Sequence, residues 1–260
     1  VDVNTISIQS DIIKNMVSCL NKCDLSLAGI AIAPYLSGLS SLLEDEMELG
    51  VVCIDLGAAS SSLSIFFRKN LIFSRSLRIG GQHITSDIMQ AFQIPFLAAE
   101  RLKVLHGGLL PTNSDDRETL ELPESNTDLF TERRTITKSE LLGVIRPRVE
   151  EIFDSLRSIL DQSDFEFLPG QKIVLTGGGS KLENILDFAS TFLGKPTRVA
   201  VPMRIQGLPA SAHGPEAAAV IGLALNLAQP QDEVWDFRAP FEHEGDEFIR
   251  RTLRWVKANW

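Results

Sequence analysis

Two strand-like segments that lead directly into turns of small residues constrain the fold of this chain more than any other feature. The segment 50–54 is continuously apolar and ends in Asp55-Leu56-Gly57. The segment 172–176 leads into three glycines and a serine at 177–180. Uninterrupted apolar runs are typical of strands that are buried on both faces of a sheet. With 44% hydrophobic and 23% charged residues, the chain has ordinary globular composition, so we predict an α/β fold with a substantial core.

Helical and strand-like patterns alternate along the rest of the chain. Apolar residues at helical spacing, prolines at helix starts, and glycine or proline breaks define the predicted elements. In chain order we predict a helix at 9–24, a short strand at 28–33, a helix at 34–43, an acidic linker at 44–48, a hairpin of strands 62–68 and 71–78, helices at 82–93 and 97–106, a surface loop or small hairpin within 109–136, a long helix that continues to about 160, a helix to about 192, a strand at 197–201, and an alanine-rich helix at 217–228. Thr137 and Glu140 have the spacing of a capping box at the start of the long helix.

The net charge of −9 is unevenly distributed along the sequence. An acidic balance argues against a nucleic-acid partner, because such proteins usually carry a net basic domain or patch. Residues 232–247 hold seven acids and one arginine, whereas the last 11 residues hold four basic residues and no acid. We therefore expect a flexible acidic linker at 230–245, followed by a basic amphipathic helix at 246–260.

The predicted terminal helix is suited to the plane of a membrane interface. No run of the chain approaches the roughly 18–20 apolar residues that span a bilayer. At about 100° per residue, apolar and basic side chains separate onto opposite sides of the helix, and tryptophan opposite a basic face suits an anionic lipid surface. The predicted membrane-binding residues are Phe248, Ile249, Arg250, Arg251, Leu253, Arg254, Trp255, Val256, Lys257 and Trp260. Docking of the helix on the body of the protein is the alternative.

The turn after the first buried strand is a candidate phosphate site. Small residues at its tip allow phosphate oxygens to approach backbone N–H groups, and Asp55 would hold Mg²⁺ through a water molecule. The predicted nucleotide contacts in this turn are Asp55, Gly57, Ala58, Ala59 and Ser60. A plain strand turn closed by an Asx contact is the alternative.

The glycine turn at 177–180 and one helical pair complete the candidate site. Gly177, Gly178, Gly179 and Ser180 permit the backbone to pass under a planar ring or a phosphate. Glu100 and Lys103 lie three residues apart on one helical face, where they can hold ribose hydroxyls and flank an adenine. A tight turn and a solvated ion pair are the respective alternatives.

Cysteine and histidine contribute no motif. Cys19 and Cys23 share a helical face, but nothing near them completes a zinc set, and three cysteines do not suggest a disulfide framework. We expect all three cysteines to be reduced core thiols. The four histidines are scattered, which argues against a metal site or a catalytic triad.

The order of these motifs resembles the second half of the actin-like ATPase fold, which belongs to the ribonuclease H-like folds, and within it the FtsA family of bacterial cell-division proteins. The most specific stretches are 80–88, 99–107 and 145–152, together with the basic terminal helix after an acidic linker. The resemblance covers nearly the whole chain. It implies the end of subdomain 1C and the remainder of 1A at 1–47, subdomain 2A at 48–79 and 166–229, and subdomain 2B at 80–165. The linker and the membrane-targeting helix follow at 230–245 and 246–260.

The resemblance also implies a function. A protein of this family would be a peripheral scaffold on the cytoplasmic face of the bacterial inner membrane, at the division septum. It would bind the C-terminal tail of the tubulin-like protein FtsZ through subdomain 2B, self-associate into actin-like polymers, meet other division proteins, and carry ATP with Mg²⁺ as a weakly hydrolysed structural ligand. A phosphotransferase of the sugar-kinase type shares the superfold. A chaperone-type ATPase would need a substrate-binding domain after 228, where about 30 residues remain.

The predicted FtsZ-binding residues are Lys138, Arg146 and Arg148, since basic side chains suit an acidic-hydrophobic tail. Internal pairing of one arginine with Glu150 or Glu151 is the alternative.

Departures from the family pattern bear on nucleotide binding, among them Ser62, where many relatives carry an acidic or threonine side chain. The family's first phosphate loop has no counterpart in this sequence, and alanines occupy positions 58 and 59, where relatives usually carry glycine. An alanine forced to positive φ costs about 1–2 kcal/mol. We therefore expect weak ATP binding and at most very weak hydrolysis.

Overall fold

The computed structural model describes residues 9–110, 112, 114–122, 134–168, 170–209 and 212–228. These residues divide into two compact units, 9–30 and 31–228, which are described separately. The predicted acidic linker and terminal helix, and with them every predicted membrane-binding residue, lie outside the described residues.

The unit 9–30 contains one helix, α1 (Ser10–Asn21), which buries none of its residues within the described structure. Cys19 and Cys23 are exposed, so the prediction that all cysteines are core thiols is wrong for these two and correct for Cys53, which is buried. The strand predicted at 28–33 is also wrong. Although Ile32 is extended, its segment pairs with no described strand, and Pro34 in the first turn of the next helix begins helical structure at once.

The unit 31–228 is built around a five-stranded sheet with the order β3-β2-β1-β6-β7. The strands are β1 (Val51–Leu56), β2 (Ser61–Phe67), β3 (Asn70–Leu77), β6 (Lys172–Thr176) and β7 (Thr197–Val199), and a separate small hairpin is formed by β4 (Thr119–Glu121) and β5 (Thr135–Thr137). β1, β6 and β7 are parallel, whereas β1, β2 and β3 form an antiparallel meander. Because Asp55 pairs with Thr176, the two predicted ligand turns leave the same edge of the sheet side by side.

Helices cover both faces of this sheet. They are α2 (Ala33–Ser41), α3 (Glu44–Leu49), α4 (Gly81–Phe92), α5 (Phe96–His106), α6 (Lys138–Asp161), α7 (Ile185–Leu193) and α8 (Ala218–Ala228). Val52, Ile54 and Leu56 of β1 face a large core with α4, α5, α6 and α7, while Val51 and Cys53 face a smaller core. This alternation on a strand that is apolar on both sides is what the continuous run 50–54 predicts.

Two helix starts show how far local pattern determines structure. Thr137 accepts a hydrogen bond from the Glu140 N–H and the Glu140 side chain accepts one from the Thr137 N–H, so the predicted capping box of α6 is confirmed. The predicted acidic linker at 44–48 is instead helix α3. Glu46 accepts a hydrogen bond from the Leu43 N–H and pairs with Arg198, and three acids in its first turn suit the positive end of the helix dipole. Among the described residues, no helix is long and apolar enough to cross a bilayer.

Candidate functional site

A cavity of about 610 Å³ opens where the two predicted turns meet α4 and α5. Its base is formed by Gly57 and Ala58. One side, the helical wall, is formed by the α4 and α5 residues Gly81, Gln82, Ile84, Phe96, Glu100, Lys103 and Val104. The opposite side, the turn wall, is formed by Gly178, Gly179, Lys181, Leu182 and Glu216. The structure thus brings the predicted motifs, which are distant in sequence, to one site.

The turn at the base of the cavity presents free backbone donors. The first two N–H groups of α4 donate to the carbonyl oxygens of Gly57 and Ala58, at 2.9 and 2.8 Å, and so fix the direction of the turn. The N–H groups of Ala58, Ala59 and Ser60 donate to no acceptor within the described part of the chain. Consecutive free N–H groups are suited to binding phosphate oxygens.

The alanines at positions 58 and 59 carry no backbone strain. Among the described residues other than glycine, positive φ occurs only at Asp24, Arg68, Lys69, Gln93 and Asn184. The cost expected for alanine at positive φ therefore does not arise in this turn.

The glycine turn packs tightly on the end of β1. Gly177 has φ +81°, and a Cβ there would overlap with Asp55 Oδ1. A Cβ on Gly179 would lie 2.8 Å from Leu56 Cβ. A Cβ on Gly178 would meet only Glu216 Cβ, at 3.7 Å, which is an ordinary contact. Gly177 and Gly179 are thus required by the packing of the protein itself, whereas Gly178 keeps the turn wall flat beside the cavity. Ser180 lines no part of this cavity; it is buried, and its hydroxyl donates to the Gly177 carbonyl.

Glu100 and Lys103 belong to a hydrogen-bond network in the helical wall. Lys103 Nζ donates to Glu100 Oε2 at 2.7 Å, to Thr85 Oγ1 at 2.8 Å and to the Gly81 carbonyl at 2.9 Å. Burial acts to raise the pKa of Glu100, but hydrogen bonds from Lys103 and Thr85 outweigh it and hold the pKa below its usual value. Glu100 is therefore a fixed ionised acceptor in the cavity. The solvated ion pair considered from the sequence is incorrect, because the Lys103 side chain is only 13% exposed.

A second ion pair stands in the turn wall and was not predicted. Lys181 Nζ lies 3.1 Å from Glu216 Oε1, and both residues line the cavity. The Glu216 backbone N–H and Lys181 hold the pKa of this carboxyl below its usual value, against a smaller opposing effect of burial. The partners lie 35 positions apart in the sequence, so no local spacing predicts the pair.

Asp55 occupies a different position from its predicted one. It does not line the cavity; its carboxylate accepts a hydrogen bond from Ser37 of α2 and faces the backbone of Gly177. Burial raises the pKa of Asp55, and the Ser37 hydrogen bond only partly offsets this. A half-buried carboxylate that is engaged by the protein does not fit the predicted role of holding Mg²⁺. Within the described residues, no group of three or more His, Cys, Asp or Glu side chains could hold a metal ion.

The three predicted FtsZ-binding residues are all engaged in ion pairs. Arg146 pairs with Glu150 at 2.8 Å on the surface of α6. Arg148 binds Asp87 of α4 through two nitrogens, at 2.6 and 2.9 Å, and also contacts Glu151. Internal pairing, which the sequence left open, thus occurs at both arginines.

Lys138 lies near three carboxylates. Its ammonium lies between the carboxylates of Asp115, Glu118 and Glu183, at 3.6–3.7 Å. Burial acts to lower the pKa of Lys138, but these carboxylates raise it above its usual value. This lysine joins the β4–β5 hairpin region to the turn before α7.

The cavity has the chemistry that a nucleotide requires. The free N–H group of Ala58 lies at the bottom of the cavity, a fixed carboxylate and an ammonium group lie in the helical wall, and a flat glycine segment lies in the turn wall. Ile84, Phe96 and Val104 add apolar surface for a ring. Among the predicted nucleotide contacts, Gly57, Ala58, Glu100, Lys103, Gly178 and Gly179 line the cavity, whereas Asp55, Ala59, Ser60, Gly177 and Ser180 do not.

Comparison with known proteins identifies a family and a fold. A family model described as cell division protein FtsA matches residues 52–222. The cell division protein FtsA of Rhizobium meliloti is 33% identical over 225 residues, which cover 86% of this chain and 51% of the relative. That of Escherichia coli is 29% identical over 228 residues, which cover 85% and 54%. The chain thus spans about half the length of these curated relatives.

Solved structures agree on the fold. MreB5 of Spiroplasma citri bound to ADP superposes with a TM-score of 0.67 at 18% identity, over 85% of this chain and 65% of that one. The PilM–PilN type IV pilus biogenesis complex gives a TM-score of 0.63 at 22% identity, over 85% of this chain and 59% of that one. The predicted actin-like ATPase fold is therefore confirmed for the described residues.

Proposed function

This chain belongs to the FtsA family of cell-division proteins, and from that premise we propose that it forms the nucleotide-binding half of a division scaffold. The cavity between the helical wall and the turn wall is the observation that carries the proposal. Subdomain 2A corresponds to 48–79 and 166–229, and subdomain 2B to 80–165, so that the two walls come from different subdomains. The segment 1–47 contributes the end of 1C and the remainder of 1A.

ATP is the proposed ligand of the cavity. Its phosphates lie at the turn after β1, where the N–H group of Ala58 is free, its ribose hydroxyls lie at Glu100 and Lys103, and its nucleobase lies against Gly178 and Gly179. MreB5, which shares the fold, was solved with ADP. Asp55 does not fit a metal, so no Mg²⁺ is assigned to it.

A scaffold role fits the carboxylates of the cavity better than the phosphotransferase role does. General-base catalysis needs a group whose pKa is close to the working pH. Glu100 and Glu216 are both ion-paired, and both have a pKa below the usual value. Neither carboxylate is therefore suited to activate a substrate hydroxyl, which supports the proposal that ATP is a structural ligand with at most very weak turnover.

The proposed partners follow from family membership. Subdomain 2B binds the C-terminal tail of FtsZ, copies of the protein associate into actin-like polymers, and further division proteins attach. The basic segment 246–260 holds the scaffold on the anionic cytoplasmic face of the inner membrane, so the protein is peripheral and acts at the septum.

Calorimetry with ATP tests the nucleotide part of this function. We expect the chain to bind ATP with a Kd above about 1 μM, equivalent to about −8 kcal/mol, because only one of the two phosphate loops of the family has a counterpart in this sequence. Glu100→Gln should weaken binding by about tenfold, since it makes the acceptor neutral and hydrogen bonds to charged groups are the stronger ones. Glu150→Gln, which alters an ion pair on the surface of α6, is the matched control and should bind ATP normally. Absence of binding at millimolar ATP would refute the nucleotide assignment.

A further inference from the structure

The geometry of the cavity points to a base-reading role for the Lys181–Glu216 pair, and we propose that this pair recognises the amino group and the adjacent ring nitrogen of a 6-aminopurine. This inference rests on the nucleotide binding proposed above and adds the residues that select the base. It concerns an ion pair that was not predicted, between side chains 35 positions apart in the sequence.

The walls of the cavity fix the direction in which a nucleotide would lie. Both walls meet the turn at the base: Gly81 of the helical wall donates to the Gly57 carbonyl at 2.9 Å, and Gly179 of the turn wall packs on Leu56. A phosphate bound to the free N–H groups of that turn places the rest of the nucleotide between the walls. The sugar then reaches Glu100. The nucleobase reaches the flat segment at Gly178.

Contacts along the turn wall continue from this segment to the ion pair. A Cβ on Gly178 would meet Glu216 Cβ at 3.7 Å, and Glu216 pairs with Lys181 at 3.1 Å. A ring lying over Gly178 and Gly179 therefore has one edge directed at these two side chains. Their side chains are 58% and 42% exposed, for Lys181 and Glu216 respectively, so both retain the freedom to turn toward a ligand.

The chemistry of the pair defines the edge it accepts. A lysine ammonium only donates hydrogen bonds and an ionised glutamate only accepts them. Together they require an edge with a donor next to an acceptor. The 6-amino group and N1 of adenine satisfy this requirement, with the amino group donating to Glu216 and Lys181 donating to N1. A purine that lacks the 6-amino group offers Glu216 no hydrogen-bond donor.

The opposite pair in the helical wall does not offer the same readout. Lys103 Nζ is committed to three acceptors of the protein, and its side chain is only 13% exposed. Apart from the backbone N–H of Glu216 itself, the Lys181–Glu216 pair has no other partner among the described residues. When a ligand group replaces Lys181 or Glu216 as the partner of the other, no further side-chain hydrogen bond of the described residues is therefore lost.

A chemical double-mutant cycle tests this inference. The affinities of ATP and of purine riboside triphosphate, which lacks the 6-amino group, are measured by calorimetry for the wild-type chain and for Glu216→Met, which removes the carboxylate acceptor. In the wild type we expect ATP to bind about tenfold more tightly, as for one hydrogen bond to a charged group. In Glu216→Met we expect ATP to lose most of this advantage and the analogue to bind as it does to the wild type. Lys181→Met should weaken ATP similarly.

Glu44→Met provides the matched control. Glu44 forms an exposed pair with Lys69 at 2.8 Å on residues that do not line the cavity, so its removal should change neither affinity. If Glu216→Met weakens both nucleotides equally, or neither, the pair does not read the nucleobase and the inference fails while nucleotide binding stands. If the wild type binds neither nucleotide, the proposed nucleotide function fails and this inference fails with it.

Discussion

Gly177 passes so close to Asp55 that a Cβ at position 177 would overlap with Asp55 Oδ1. The sequence suggested that both residues bind nucleotide, yet in the structure they face each other behind the cavity. The glycine is required because the ends of β1 and β6 lie side by side, and the backbone of one must pass the side chain of the other. Their contact fixes the two turns relative to each other, but neither residue lines the cavity.

Gly177→Ala should destabilise the protein. Positive φ alone costs alanine about 1–2 kcal/mol, and the clash with Asp55 adds to this cost. Gly194→Ala is the matched control, because Gly194 also has positive φ, at +63°, but nothing lies within 4 Å of its Cβ position. Urea unfolding of both variants separates the two contributions. If both variants lose the same free energy of unfolding, the structure accommodates the methyl group at position 177 beside Asp55 at no cost.

Gly178→Ala should leave stability nearly unchanged and weaken ATP binding. The new methyl group meets only Glu216 Cβ at 3.7 Å, so the protein accommodates it, with a change within about 0.5 kcal/mol. The same methyl group enters the space assigned to the base, where overpacking costs about 1–3 kcal/mol. We expect roughly tenfold weaker ATP binding by calorimetry. Normal affinity would place the base elsewhere in the cavity.

The sequence pattern predicted an element correctly where the residues that stabilise it are close in sequence. The capping box of α6 joins Thr137 and Glu140, three residues apart, and the β2–β3 hairpin closes over a short turn. Helix α3 was missed because its acidic composition resembles a linker, while its stability depends on Arg198, 152 residues away from Glu46. Tertiary contacts of this kind override local propensity.

The candidate site shows the same division between local and distant information. Its glycine turns and the Glu100–Lys103 spacing are visible in the sequence. The Ser37–Asp55 hydrogen bond and the Arg148–Asp87 ion pair are not, because they join residues 18 and 61 positions apart. These contacts turn two predicted ligand residues toward the protein, and only a folded chain reveals which carboxylates are already engaged.

Asp55→Asn should raise stability at neutral pH, with a gain that disappears in acid. Burial raises the pKa of Asp55, so the folded state holds the proton more tightly than the unfolded state, and stability falls as the pH rises above the unfolded value near 3.8. Asparagine cannot ionise, so the variant does not lose stability as the pH rises. Thermal unfolding at pH 7 and at pH 3.5 checks the sign, with Asp154→Asn on the exposed surface of α6 as control. A loss of stability in Asp55→Asn at pH 7 would show that the charged carboxylate is favoured.

Arg146→Glu should weaken capture of an FtsZ tail peptide by roughly tenfold while leaving the fold intact. The Arg146–Glu150 pair is exposed, and such pairs contribute only about 0–1 kcal/mol to stability. Fluorescence anisotropy with a labelled tail peptide measures the effect. Arg148 is unsuited to this test, since charge reversal there would separate α4 from α6.

Glu150→Ala is the complementary variant for the tail peptide. It frees the Arg146 guanidinium, so we expect equal or tighter binding of the peptide. Unchanged affinity in Arg146→Glu would remove this arginine from the proposed binding surface for the tail peptide.

The segment 246–260 should attach the protein to anionic membranes. Four cations near an anionic leaflet contribute roughly 4 kcal/mol. Six apolar side chains, each about half buried, add roughly 5–9 kcal/mol on the usual scale. Ordering the segment on the membrane opposes binding. Because this cost offsets the gain for one copy, stable attachment should require several tethers on one polymer.

Liposome co-sedimentation distinguishes this role from docking of the helix on the protein body. The wild-type chain, a chain that ends at Glu247 and the variant Trp255→Glu are compared on vesicles with and without anionic lipid. We expect only the wild type to sediment strongly, and only with anionic lipid at high protein concentration, where polymers form. Raising the salt concentration should reduce its binding, because charge attraction is screened. Equal sedimentation of all three proteins would show that the anchor lies outside 246–260.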